Sequence, residues 1–123
     1  MKLEKQVCSL ELAKKLKELG VKTPSIFHWE MVKGPYRRNG GTWELSSDDR
    51  HPDLPDYVCS AFTVAEMGEL LPIKFEQSKW EKEFIVRFPV GHDLYRAGIR
   101  QFGKTEADAR AKMLVYLLEN KLI

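Results

Sequence analysis

Apolar side chains recur at two different periods along these 123 residues, and that constrains the fold more than any other feature. Leu12, Ala13, Leu16 and Leu19 recur at helical spacing behind Ser9, a good N-cap, with Glu11 in the favoured first turn and Gly20 as a stop. Lys14, Lys15, Lys17 and Glu18 fall mostly on the other faces of that helix. Ile26 to Val32 instead alternates, with Phe27, Trp29 and Met31 on one side and His28 and Glu30 on the other. That is a strand with one buried face, which puts His28 on the polar side. A chain carrying both periods has to lay helices over a pleated layer.

The same two signals recur downstream. Asn39-Gly40 is a strong turn signal, and Thr42 to Leu45 reads as a strand returning against the first. Residues 46–56, rich in Ser, Asp and Pro, form a loop, and Tyr57 to Ala61 is a short extended piece. Thr63 with Glu66 three residues on is a capping box, followed by Val64, Met67, Leu70 and Leu71 and closed by Pro72. Gly68 inside this short helix costs about 1 kcal/mol against alanine, so the helix depends on packing. Ile73 to Phe75 reads as a short strand, and residues 76–83 as a polar stretch around Trp80. Phe84, Val86 and Phe88 alternate with Ile85 and Arg87, and Leu94 to Phe102 is the antiparallel partner, closed by Gly103. Thr105 caps a last helix with the stripe Ala107, Ala111, Leu114 and Leu118, whose small residues allow close approach to a sheet. Strands in antiparallel pairs without βαβ alternation predict an α+β domain spanning residues 1–123. Its antiparallel sheet of two hairpins is packed by the N-terminal and C-terminal helices, with a short middle helix.

Three segments carry a family resemblance. They are Val7 to Val21, running on to Ser25-Ile26-Phe27-His28-Trp29; Ala61 to Pro72; and Thr105 to Leu114, followed by Tyr116 to Asn120. In the same order, they resemble a group of small uncharacterised proteins encoded by phages and prophages. The matched segments are helices and their caps, so the resemblance implies a shared fold and transfers no catalytic residue.

Charge narrows the function classes. Twenty basic and eighteen acidic side chains leave a net charge of +2, less than a whole-protein nucleic-acid binder usually carries. The distribution is uneven, at +5 over residues 1–41, −6 over 42–71 and +3 over 72–123. The basic hairpin tip, with Lys33, Tyr36, Arg37 and Arg38, can meet phosphates and stack on a base, and Lys14, Lys15 and Lys17 can extend that surface. The bland alternative is a solvated turn whose arginines pair with the acidic loop beside it. That loop offers Asp48, Asp49, Asp53, Asp56 and His51, but lacks the alternating acids and glycine of an EF-hand. His28, His51 and His92 stand far apart, with no local nucleophile or orienting partner. Cys8 and Cys59 have apolar neighbours and no zinc spacing, so they read as buried, reduced thiols. Phosphate-loop, dinucleotide, nucleophile-elbow and zincin motifs are missing, and no cofactor is implied. The start has no signal-peptide core and no apolar run nears the roughly 18 residues of a membrane span, so the expectation is a cytoplasmic protein without a membrane role.

The aromatic set is large, and Trp80 stands out because it sits in the charged run Lys79-Trp80-Glu81-Lys82-Glu83. Most of the aromatics belong to the core, but Trp80 is the best candidate for contact with a protein partner or a second copy of the chain, as in a homodimer. Three functions follow: an accessory binding module as the leading one, a nucleic-acid binder using the basic hairpin as the alternative, and a small enzyme as the third. An enzyme would have to gather its acids or histidines from distant segments.

Overall fold

The computed structural model describes residues 2–23, 25–32, 42–47, 58–72, 75–88 and 99–123. After a short 3-10 turn at Leu3–Lys5, helix α1 (Leu10–Glu18) starts where Ser9 Oγ accepts from the Leu12 amide. It ends at Gly20, whose φ of 91° is one that side chains resist. There the Gly20 amide donates to Lys17 and the Val21 amide to Leu16, closing the orphan carbonyls of the last turn. Ala13 and Leu16 are the buried face, as the spacing predicts.

Strands β1 (His28–Val32), β2 (Thr42–Ser46) and β3 (Val58–Ser60) form one antiparallel sheet in the order β2-β1-β3. Trp29 stands opposite Leu45 on one side and Cys59 on the other, and Met31 opposite Trp43. Helix α2 (Val64–Leu70) carries the complete capping box, with the Thr63 hydroxyl accepting from the Glu66 amide and the Glu66 carboxylate from the Thr63 amide. Strands β4 (Glu76–Trp80), β5 (Glu83–Arg87) and β6 (Arg100–Gly103) form the second sheet, in the order β4-β5-β6. Helix α3 (Glu106–Glu119), capped by Thr105, then covers β5 and β6 and packs on α1 and α2.

The α+β architecture is the one expected, with each of the two hairpins extended by a third strand into its own sheet. Two local expectations change. No strand includes Phe75; the strand begins at Glu76 and runs through the polar stretch to Trp80 (residues 73 and 74 lie outside the described set). Its pattern is nearly all exposed, so the strand has little apolar alternation to announce it. Pairing across a two-residue turn fixes it instead, with Glu81 at φ 55°, the sign that primed hairpin turns require. The partner of β5 in β6 covers only the end of the expected Leu94 to Phe102 strand, and residues 94–98 lie outside the described set.

The core is one cluster. Cys8, Leu16, Cys59, Phe62, Met67, Val86, Met113 and Leu117 are almost fully buried, as are Ala107, Ala109 and Ala111 of α3. Helix α3 lies close against β6: a Cβ on Gly103 would collide with the Ala109 backbone nitrogen and lie 2.9 Å from Asp108 C. Hydrogen bonds tie distant segments together. The Cys8 amide donates to Phe62, the Ala61 amide to Phe27, and the Ser9 amide to Asp108 Oδ1 at 2.8 Å. Among the described residues no helix is long and apolar enough to cross a membrane.

Candidate functional site

The pairing register decides which side chains share a face of the second sheet. Directly opposed residues point the same way, and neighbours along a strand point apart. Gln77, Lys79, Phe84, Val86, Gln101 and Gly103 therefore share the inner side, and Val86 and Gly103 are buried against α3. The outer side takes Ser78 and Trp80 from β4, Glu83, Ile85 and Arg87 from β5, and Arg100 and Phe102 from β6.

Trp80 is 70% exposed on that outer side and Phe102 is 42% exposed. Ile85, directly opposite Phe102 and diagonal to Trp80, joins the two into an apolar band across all three strands. Beside the band Trp80, Phe102 and the hairpin turn enclose a shallow hollow of about 630 Å³. The charges around it balance. Arg87 Nε donates to Glu76 Oε2 at 3.1 Å, and Arg100 and Glu83 add one charge of each sign. The inner side is pinned by Arg110, which donates to Gln77 Oε1 and to the Val64 carbonyl, each at 2.7 Å, and stacks 5.0 Å from the Phe75 ring. Burial lowers the pKa of this guanidinium, and the nearby Glu106 carboxylate opposes the shift.

The other residues singled out in the sequence are distributed differently. Lys14 Nζ lies 4.6 Å from the Trp43 ring centroid, Lys15 Nζ 3.9 Å from Glu119, and Lys17 Nζ donates to the Val58 carbonyl at 2.8 Å. All three lysines of α1 thus meet acceptors or rings of the same molecule. Lys33, Tyr36, Arg37 and Arg38 lie outside the described residues, as do His51, His92 and the aspartates of the acidic loop. His28 is a correction: it is 1% exposed rather than on a polar face. It sits between Ser46 and Ser60 on the central strand of its sheet, and that side carries the fully buried Val58 as well. Alternation of type along β1 therefore did not translate into alternation of burial.

Cys8 and Cys59 are buried, and burial pushes their thiols up to about 12 and about 11. Such thiols are poor nucleophiles. Among the described residues no three His, Cys, Asp or Glu side chains gather as a metal site would require. The arrangement found is a surface for contact, flat, aromatic-centred and charge-balanced. Its Trp80 was legible in the sequence as a tryptophan among charges, whereas Ile85 and Phe102 needed the register. No family model, curated protein or solved structure matches the chain.

Proposed function

We propose that this chain is a binding module, an accessory protein of phage or prophage origin that acts in the cytoplasm and docks a protein partner on the outer face of its second sheet. One observation carries the reading: Trp80 and Phe102, both large and both exposed, stand on one face with Ile85 between them. Water in contact with such a band is released on docking, and tryptophan is prominent among residues that dominate interface energies. The balanced charges around the band favour a protein with a mixed polar rim over a polyanion, which would meet Glu76 and Glu83 as readily as Arg87 and Arg100. The lysines of α1 add little to a nucleic-acid reading, since each is engaged within the molecule.

The test is affinity capture from infected or induced host cells with the wild-type chain and with Trp80→Ala and Phe102→Ala. The expected result is a defined partner held by the wild type and lost from both variants. Identical capture by all three would sink the proposal. A gel shift at low salt that fades steeply as salt rises, unaffected by Trp80→Ala, would point to phosphate contacts instead.

A further inference from the structure

We infer that the cleft where the chain's first turn meets the starts of α2 and α3 binds a small amphipathic organic anion, an apolar or aromatic body bearing one anionic head group. The cleft encloses about 420 Å³, within the range of small-molecule pockets. Val64, Ala65 and Phe84 supply its apolar wall, and Lys5, Lys79 and Lys104 supply three ammonium groups from three separate elements of the chain. Among the described residues Glu106 is the single carboxylate of the lining. It lies one helical turn before Arg110 and already acts on that guanidinium, so part of its charge is answered outside the cleft.

Among the described residues Lys5 and Lys104 have no ion-pair partner, while Lys79 Nζ rests 5.1 Å from the Phe84 ring centroid. An anion seated in the cleft would meet Lys5 and Lys104 without displacing a carboxylate of the described residues from either. Apolar ligand surface then replaces water against Val64, Ala65 and Phe84. The three lysines define the site. Lys79 and Phe84 belong to the inner side of the second sheet and Trp80 to the outer, so this site is separate from the docking band.

Anilinonaphthalene sulfonate is a suitable probe, being an aromatic body with one anionic group whose emission rises in apolar surroundings. Titrated into the full chain, it should bind with one-to-one saturation. The double variant Lys5→Gln, Lys104→Gln should weaken it about tenfold, the loss of charge-assisted contacts. Ala65→Glu, at an exposed helix position on the cleft wall, should set a second carboxylate beside the ligand and weaken binding about tenfold with the lysines intact, and Trp80→Ala should leave affinity unchanged. Circular dichroism would confirm that each variant is folded. An absence of saturable binding, wild-type affinity in the double variant or in Ala65→Glu, or loss of the signal with Trp80→Ala would each overturn the inference.

Discussion

Replacing Gly103 with alanine should damage the packing of the second sheet against α3. An ideal Cβ there would meet the Ala109 backbone nitrogen and lie 2.9 Å from both Ala109 Cα and the Asp108 carbonyl carbon. Carbon atoms in contact normally sit at about 3.5–4.0 Å, so something must retreat by roughly 1 Å. The obstacle is main chain, which cannot turn aside as a side chain does. Helix α3 would have to lift, and it carries six buried residues, from Ala107 to Leu117. Overpacking usually costs about 1–3 kcal/mol, and a clash with helix backbone belongs at about 3. Domains of this size have only about 5–15 kcal/mol in total. With a slope of about 1.5–2 kcal/mol per molar, the urea midpoint should fall by about 1.5–2 M. Unfolding followed by circular dichroism and by tryptophan emission would measure it. Adding Ala109→Gly should not restore stability, because the blocking atoms remain. A Gly103→Ala midpoint within about 0.3 M of wild type, or rescue by Ala109→Gly, would refute the reasoning.

Other substitutions test separate parts of the structure. Lys121 closes α3 at φ 54°, with the Leu122 amide donating to Leu117, so Lys121→Gly should stabilise by about 0.5–1 kcal/mol in the same urea assay. At Gly68 a Cβ would lie 2.6 Å from Arg110 Nη1, which donates to Val64. Gly68→Ala should therefore destabilise by about 1 kcal/mol, the helix-propensity gain of about 1 being outweighed by a charged hydrogen bond worth about 1.5–3. A net gain in stability would count against that geometry. Both thiols have folded pKa values raised above the ordinary 9.0, so their contribution is complete below about pH 9. It is lost as pH rises toward 11–12, because the unfolded chain releases those protons first. The melting temperature of the wild type should accordingly fall more steeply above pH 9 than that of Cys8→Ala, Cys59→Ala, and equal slopes would contradict the burial argument. Trp80→Ala should change stability by less than about 0.5 kcal/mol, since the side chain is mostly in water.

What was legible before the structure followed the strength of local chemistry. Ser9, Thr63 and Thr105 are caps whose hydroxyls accept the expected amides, because capping needs only residues three apart. The first hairpin was legible from Asn39-Gly40 and the alternation before it. Strand β4 was not, since Glu76, Ser78 and Lys79 are polar and its place depends on the neighbouring strand. His28 misled for the complementary reason: a polar residue type on an alternating strand says nothing about what covers its side of the sheet. The docking band was half legible. Trp80 stood out by its charged neighbours, whereas Phe102 became its companion only through the pairing of Ile85 with both outer strands.

Helix α3 is the last of the described elements to be synthesised, yet it touches α1, α2, β5 and β6. The Asp108 carboxylate accepts from Ser9, ninety-nine residues earlier in the chain. A nascent chain lacking α3 therefore has the inner side of its second sheet and the Ala13–Leu16 flank of α1 without their cover. The second sheet and α1 therefore complete their burial only once α3 has been made, and until then the apolar side chains that α3 covers stay open to chaperones.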